Sequence, residues 1–142
     1  MLHVSIVTPE GVAYDDVVTQ ITVPTESGEV TILANHVPMV SAMKAGELIF
    51  VKQDGARVPL AVSQGVLEVR SGNKVVVLTD TAERAEHIDL DVAEAARARA
   101  EEVMKGMKNV EDVDFARVQA SLEREMARLR VGKKYRKLPP TV

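Results

Sequence analysis

The chain has 142 residues, a formal net charge of −3, no cysteine and no tryptophan. That length suits one domain, or one small domain with an appendage. The lack of cysteine excludes disulfides, thiolate metal sites and a cysteine nucleophile, and the negative charge argues against a protein dedicated to nucleic acid or anionic membranes. No run approaches the roughly 20 apolar residues of a membrane span, and a signal-peptide pattern is lacking. We expect a soluble intracellular protein, with peripheral attachment to a membrane complex left open.

The first half of the chain has the pattern of short β-strands. Apolar and more polar residues alternate over residues 2–7, which predicts a half-buried strand. A second extended region is predicted over residues 12–23, with a bend or bulge at Asp15 and Asp16. The cluster at residues 24–28 is predicted to form a turn.

Two further turns are predicted between apolar runs. Asp54-Gly55 lies between residues 46–51 and 58–62 and predicts a tight hairpin in which both central residues have positive φ. Residues 71–74 give a second hairpin signal. Roughly eight to ten short strands over about 80 residues favour a β-sandwich or a flattened barrel.

The second half has helical spacing. Asp89 or Asp91 is predicted to cap the first helix, which ends near Gly106 and Lys108-Asn109. The predicted apolar face of this helix is formed by Ala93, Ala96, Ala100, Val103 and Met107. Because alanine removes little apolar surface from water, we expect a hairpin with this seam to be loosely docked.

The second helix is predicted to pack antiparallel to the first. Asp112 or Asp114 is the predicted cap, Gly132 the predicted end, and residues 133–142 a basic mobile tail. Its predicted apolar stripe is formed by Phe115, Val118, Leu122, Met126 and Leu129.

Catalytic chemistry has little support in the sequence. No phosphate-binding loop of the G-x-x-x-x-G-K-[ST] kind is present, and His3, His36 and His87 lie far apart without metal-ligand spacing. Asp15 and Asp16, as neighbours on a strand, point to opposite faces and do not form an acid/base pair. We expect no metal site and no catalytic residue.

Basic residues are concentrated near the end of the chain. Seven of them lie between Arg124 and residue 137, against the single acid Glu125. One interpretation is a solvated helix end whose cations suit the helix dipole. The other is a contact with an acidic partner surface, to which Arg128, Lys133 and Lys134 would contribute. Nucleic acid is a poor third, since Tyr135 is the one aromatic residue near this charge.

Residues 26–40, ESGEVTILANHVPMV, and 44–48, KAGEL, carry a more specific pattern. They resemble the G-E-x-[GT]-I-L-x-x-H-x-P-L signature of the epsilon subunit of F-type ATP synthase. Met39 replaces the usual leucine, which is a volume-conserving change. Residues 66–69, 75–84 and 129–131 also resemble that family, so the resemblance covers essentially the whole chain.

The resemblance implies a non-catalytic central-stalk subunit of a proton- or sodium-driven synthase. The implied fold is an N-terminal sandwich of about ten strands, here residues 1–85, and a C-terminal two-helix antiparallel hairpin, here residues 86–142. The sandwich would bind the gamma subunit and the ring of c subunits through the segment that includes Glu29, Asn35, His36 and Pro38. Asn35 and His36 are expected to shape this loop more than to touch a partner.

The same resemblance implies a mobile regulatory hairpin. In an extended state it would reach the alpha/beta catalytic hexamer, and Arg124, Arg128, Lys133 and Lys134 would face acidic beta-subunit surfaces and oppose ATP hydrolysis. The protein would lie peripherally on the cytoplasmic side of a bacterial cell membrane, attached only through the complex. It would require no cofactor.

Some bacterial members bind regulatory ATP through an [IL]-D-x-x-R-A motif at the start of the first helix. Here Ile88, Asp89 and Ala93 match, but Val92 replaces the arginine. Loss of that cation should weaken phosphate binding, with Arg97 or Arg99 as substitutes. The alternative for Asp89 is a plain helix cap, and the alternative for the whole chain is a stand-alone ligand-binding sandwich with a helical dimerisation hairpin.

Overall fold

A computed structural model describes residues 1–107 and 113–136. A short 3₁₀ turn (Ala85–His87) joins ten strands to the helices α1 (Leu90–Lys105) and α2 (Val113–Arg136). Neither helix, over its described residues, is long and apolar enough to cross a membrane. The strands are β1 (Leu2–Thr8), β2 (Gly11–Val18), β3 (Gln20–Thr25), β4 (Gly28–Leu33), β5 (Met39–Met43), β6 (Gly46–Val51), β7 (Arg57–Val62), β8 (Gly65–Arg70), β9 (Lys74–Thr79) and β10 (Ala82–Arg84).

The strands form two layers connected by β3. The first layer has the order β10-β7-β6, and the second has the order β5-β8-β9-β1-β2. β3 pairs with β6 through residues 20–22 and with β5 through Thr25, which lies opposite Met43, while β4 pairs along its other edge. β1 and β9 are parallel, and the other ladders are antiparallel. The predicted β-sandwich with C-terminal helices is confirmed.

One core lies between the layers. On β1, Leu2, Val4 and Ile6 are almost fully buried, and the residues between them point outward, as the alternating pattern predicts. The single aromatic side chain among the core's buried residues is Phe50, which meets Tyr14 edge to face with ring centroids 4.9 Å apart. The other buried residues of this core are aliphatic side chains and Met43.

The turns agree in part with the sequence pattern. The β8–β9 hairpin forms as expected, with φ of 82° at Gly72 and 60° at Asn73. In the β6–β7 hairpin only Gly55 has positive φ. Asp54 instead accepts a hydrogen bond from the Ala56 N–H at 2.9 Å, so the predicted two-residue tight turn is a wider loop.

One predicted irregularity is wrong in position, and one predicted turn is shorter than expected. Asp15 and Asp16 lie within β2, and the bulge lies opposite residues 6 and 7 of β1. Asp15 is held in the strand because it accepts hydrogen bonds from His3 and Ser5 on β1. The turn predicted at residues 24–28 begins only after Thr25, since β3 continues through that residue.

The helix boundaries show a similar mixture. Asp89 caps α1, its carboxylate accepting the N–H groups of Asp91 and Val92 at 3.1 Å each. The predicted end at Gly132 is wrong, because α2 continues to Arg136. Of the other predicted helix ends, Lys108-Asn109 and the cap Asp112 lie outside the described residues, as does the tail after residue 136, whereas Asp114 lies in the first turn of α2.

Each predicted apolar stripe has one exposed member. Val103 on α1 is 51% exposed and Met126 on α2 is 43% exposed. The buried residues of α1 are Ala93 and Ala100, and this helix packs mainly on α2. α2 in turn packs on β6, β7 and the 3₁₀ turn, so α2 is the element that seats the hairpin on the sandwich.

A second, smaller core forms beneath α2. It consists of Ala61, Ala85, Ile88 and Val131, with Leu90 and Tyr135 packed against it. Gly132 lets the helix approach closely, since an added Cβ would lie 2.6 Å from Leu90 Cδ2 and 3.2 Å from Ile88 Cγ2. This explains a glycine inside a helix, where it is otherwise unfavourable.

The close approach of β8 to β9 gives a test of the sandwich. A Cβ added at Gly65 would lie 1.9 Å from the Leu78 backbone oxygen. We expect Gly65→Ala to lower the free energy of unfolding by at least about 2 kcal/mol, because the backbone must move to relieve the overlap. The measurement is the urea midpoint, with Gly106→Ala as control because its nearest contact, Val103 O, is an ordinary 3.6 Å. Equal midpoints for the Gly65→Ala chain and the parent would contradict this packing.

Candidate interaction surfaces

Three residues form a row across the outer face of the first layer. Glu47 of β6 lies opposite Ala61 of β7, and Ala61 lies opposite Glu83 of β10. We call Glu47, Ala61 and Glu83 the acid–alanine row. Its centre is small and buried, with Ala61 only 2% exposed, so a helix lying over it can reach both carboxylates.

α2 lies over this row with matching side chains. Arg128 binds Glu83, with Nε 2.8 Å from Oε2 and Nη2 3.4 Å from Oε1. Val131 shares the second core with Ala61. At the other end, Lys134 Nζ lies 3.0 and 3.3 Å from the two Glu47 oxygens.

Tyr135 completes the contact with Glu47, to which its hydroxyl donates a short hydrogen bond. The contacting residues of α2 are therefore spaced by three or four positions, which places them on one helix face.

A buried carboxylate strengthens the Arg128 end. Glu125 is 4% exposed, and it accepts from Arg128 Nη1 at 2.8 Å and from Arg124 Nε at 3.3 Å. Every nitrogen of the Arg128 guanidinium thus contacts a carboxylate. Removing Arg128 would leave the buried Glu125 carboxylate without its main partner and would lower the free energy of unfolding.

The pKa directions agree with this charge arrangement. Burial lowers the pKa of Arg128, but hydrogen bonds to Glu83 and Glu125 outweigh it and the net pKa is raised. The hydrogen bond to Glu47 raises the pKa of Lys134. Burial and then the hydrogen bond to Glu47 raise the pKa of Tyr135. Near neutral pH both cations are therefore charged and the phenol is protonated.

The last turn of α2 also holds the segment that joins sandwich and hairpin. The Arg136 guanidinium donates a short hydrogen bond to the Ile88 carbonyl oxygen and lies 3.5 Å from that of Glu86. Ile88 itself is fully buried in the second core. The hairpin therefore cannot swing about this segment while the end of α2 stays in place.

A different surface, on the outer face of the second layer, is apolar. Val66 lies opposite Leu78, Leu78 opposite Val7, and Val7 opposite Val12 in successive ladders, with Ala42 opposite Val66 on β5. We call Ala42, Val66, Leu78, Val7 and Val12 the apolar row. Leu78 is 43% exposed and Val12 is 64% exposed. An apolar strip across five strands is typical of a docking surface for another protein.

The predicted partner-binding residues lie at the start of β4 and in the segment between β4 and β5. Glu29 is exposed on β4, and Pro38 is exposed just before β5. Asn35 adopts φ of 67°, and its N–H donates to Asn73 Oδ1 at 2.7 Å. His36 Nδ1 lies 2.7 Å from the Val37 carbonyl oxygen, so Nδ1 carries the proton.

These hydrogen bonds fix the loop backbone and leave two apolar side chains outside. Leu33 is 54% exposed and Val37 is 71% exposed. The loop therefore presents apolar side chains to solvent, whereas Asn35 and His36 use polar atoms to shape it.

The candidate nucleotide residues lie around the start of α1 but do not converge. Ile88 and Ala93 are fully buried, Asp89 caps the helix, and Arg99 is exposed about three helical turns beyond Asp89. An open cleft of about 540 Å³ at this position is lined by His87, Ile88, Asp89, Leu90, Asp91 and Arg136. Its lining includes two carboxylates, and Asp89 already occupies helix N–H groups that would bind phosphate.

The four candidate cations differ in their surroundings. Arg128 and Lys134 bind the acid–alanine row, as described above. Arg124 contacts Ser121 Oγ at 3.3 Å and lines a second open cleft between α2 and the sandwich. Lys133 is exposed. Within residues 1–107 and 113–136, no group of three or more metal-ligating side chains occurs.

Sequence reasoning missed the acceptors of these cations. Glu83 lies 45 residues before Arg128 and Glu47 lies 87 residues before Lys134, so no local pattern indicates the pairs. A weak pattern does exist on α2. Its basic and apolar residues Arg128, Val131, Lys134 and Tyr135 share a helix face that differs from the predicted apolar stripe.

The sheet and its appended helices define a class of protein: a β-sandwich that carries a docked two-helix hairpin. Two family models match the chain. The one described as ATP synthase, Delta/Epsilon chain, beta-sandwich domain matches residues 1–85, and the one described as ATP synthase, Delta/Epsilon chain, long alpha-helix domain matches residues 86–133.

Curated relatives agree with these matches. The ATP synthase epsilon chain of Nitratidesulfovibrio vulgaris strain DP4 is 44% identical over 130 residues, which cover 92% of this chain and 94% of that one. The ATP synthase epsilon chain of Bacillus licheniformis is 42% identical over 132 residues, which cover 93% and 98% respectively. The chain therefore belongs to the ATP synthase epsilon chain family, and the resemblance stated from residues 26–48 is confirmed.

Solved structures share the fold at low identity. A chain in the Euglena gracilis mitochondrial ATP synthase structure, of OSCP, F1 and c-ring, aligns with a TM-score of 0.73 at 20% identity, covering 89% of this chain and 78% of that one. A chain of the Tetrahymena thermophila mitochondrial ATP synthase, from its central stalk and c-ring, aligns with a TM-score of 0.57 at 17% identity, covering 94% and 95%.

Proposed function

We propose that this chain is a non-catalytic central-stalk subunit that couples the rotor of a bacterial ATP synthase to its c-ring and restrains ATP hydrolysis through its hairpin. The proposal is supported by family membership and, above all, by the apolar row on the outer face of the second layer. The protein would be peripheral to the cytoplasmic side of the cell membrane and held there by its partners. Either protons or sodium ions would drive the complex.

The apolar row is the surface we assign to the gamma subunit. It lies on the layer opposite the one that α2 covers, so gamma can dock without displacing the hairpin. Its members are cross-strand neighbours on one face, so they form a continuous surface of the kind buried at the centre of interfaces.

The exposed segment that follows β4 is the surface we assign to the ring of c subunits. Its backbone is fixed through the Asn35–Asn73 hydrogen bond, while Leu33, Val37 and Pro38 are exposed. A fixed loop loses little conformational entropy on binding, which favours a contact that must transmit torque. Glu29 lies at the other end of β4, beside the β3–β4 turn, and would add a charged contact there.

The hairpin is the element we assign to inhibition. It is seated by α2 on a small core and on two clusters of ion pairs rather than on the main core. A modest free-energy difference is then enough to move it between two positions. Extended, it would direct Arg124, Arg128, Lys133 and Lys134 toward acidic surfaces of the catalytic hexamer.

Leu78→Asp tests the gamma surface. A carboxylate in the middle of the apolar row would have to be desolvated on docking, so we expect the dissociation constant for purified gamma subunit to rise at least about tenfold. Titration calorimetry or surface plasmon resonance measures it. Val103→Asp is the matched control, because Val103 is similarly exposed but lies on α1. A parent chain that forms a homodimer and ignores gamma would favour the stand-alone sandwich instead.

Removal of the hairpin tests the inhibitory role. We expect the assembled complex to hydrolyse ATP at least about twofold faster when the chain ends at His87, since the extended state can no longer form. The rate is measured on membranes or on the reconstituted soluble complex, with ATP synthesis as the control for coupling. An unchanged hydrolysis rate would remove the inhibitory part of the proposal and leave the coupling part.

Regulatory ATP is the least supported part of the expected function, and Val92→Arg tests it. Val92 is 53% exposed on the first turn of α1, so an arginine there has room and would restore the cation of the motif. If the start of α1 is a nucleotide site, calorimetric titration with ATP should show binding at least about tenfold tighter for Val92→Arg than for the parent. Equal affinities would show that the start of α1 is not a nucleotide site in this chain.

A further inference from the structure

We propose that Glu47 and Glu83 antagonise inhibition: in the docked state they hold the same cations, Arg128 and Lys134, that contact the catalytic hexamer in the extended state. The inference rests on the proposed function and adds the acceptors and the competition to it. The acid–alanine row would then compete with the acidic surface of the hexamer for these two cations. We call this competition the decoy role of the row.

The geometry supports a one-to-one match between row and helix. Glu83 receives Arg128, Ala61 receives Val131, and Glu47 receives Lys134. The three row positions are consecutive cross-strand neighbours, and the three helix positions are consecutive at intervals of three. A helix crossing the strands therefore meets acid, alanine and acid in the order of its own basic, apolar and basic residues.

While Arg128 and Lys134 are bound to the acid–alanine row, they are not available to the catalytic hexamer. Arg128 is 18% exposed and directs Nε and Nη2 to Glu83 and Nη1 to Glu125, so it has no free edge for a further carboxylate. Lys134 is more exposed, but both oxygens of Glu47 lie within 3.3 Å of its Nζ. The hairpin must leave the row before these charges reach a partner.

The competition predicts opposite effects for the two sides of the same ion pairs. The double variant Glu47→Gln with Glu83→Gln, which we call the glutamine pair, weakens the docked state and leaves the cations intact. The extended inhibitory state therefore gains population. Arg128→Gln with Lys134→Gln weakens the docked state and also removes charges from the inhibitory contact. A purely structural role for the ion pairs would give the two double variants the same sign.

Ala61 offers a second way to release the hairpin without a change of charge. Its side chain is 2% exposed and shares the second core with Val131. Ala61→Leu would push α2 away from the row because the added atoms have no space. We expect it to act in the same direction as the glutamine pair.

The first measurement reports hairpin position in the free, full-length chain. Since the chain has no cysteine, spin labels can be placed only at introduced cysteines, here Gln53→Cys in the β6–β7 loop and Glu102→Cys on α1. Pulsed electron paramagnetic resonance then gives the distance distribution. We expect Glu47→Gln with Glu83→Gln, and separately Ala61→Leu, to move population to longer distances.

The second measurement is ATP hydrolysis by the reconstituted complex that contains each full-length variant. We expect the glutamine pair and Ala61→Leu each to lower the rate at least about twofold, and Arg128→Gln with Lys134→Gln to raise it. Glu10→Gln with Asp54→Asn is the matched control, because it removes the same charge from exposed turns of the sandwich. That control should leave both measurements unchanged.

The outcomes separate this inference from the proposed function. If the glutamine pair leaves the distances unchanged, or lengthens them without lowering hydrolysis, the decoy role is overturned. If all variants, including the chain ending at His87, hydrolyse ATP at the parent rate, the inhibitory function itself is overturned. Lower hydrolysis with longer distances, reversed for the cation pair, supports the competition.

Discussion

Charged contacts at the two ends of the acid–alanine row hold α2 on the sandwich. At one end Arg128 binds Glu83 of the sandwich and Glu125 of its own helix, and at the other Lys134 binds Glu47. Glu125 is nearly inaccessible to solvent, and a buried carboxylate without its partner costs about 1–3 kcal/mol or more. The pair therefore gives orientation more than net stability, since desolvation offsets much of the attraction. With Val131 on Ala61 beside it, this contact sets where α2 lies on the first layer.

The outer faces of the two layers differ in chemistry, which is why we propose separate tasks for them. The first layer presents alternating acids and a small residue, which suit a basic helix of the same chain. The second presents an apolar row, which suits another protein. The shared core between them keeps the two faces in fixed relation, so a partner on one side need not disturb the hairpin on the other.

Much of the fold could be predicted because its signals are local. Alternation along β1, the Gly72-Asn73 turn and the Asp89 cap each depend on residues within a few positions of one another. The docking of α2 could not be predicted, because Glu47 and Glu83 lie far away in sequence. The helix end predicted at Gly132 was wrong for a related reason. This glycine lets α2 pack closely against Ile88 and Leu90, which are distant in sequence. Family resemblance indicated the expected partners and the segment at residues 29–38, the concentration of basic residues indicated a contact with an acidic surface, and the apolar row became visible only in the strand pairing.

The parallel pairing of β1 with β9 has a consequence for biosynthesis. His3 pairs with Lys74, so β1 cannot form its ladder with β9 until about 70 further residues have left the ribosome. Long-range pairings of this kind slow folding, and an unpaired edge invites wrong association meanwhile. Because β10 completes the acceptor for α2 only at residue 84, the helices are translated after the strands on which they dock.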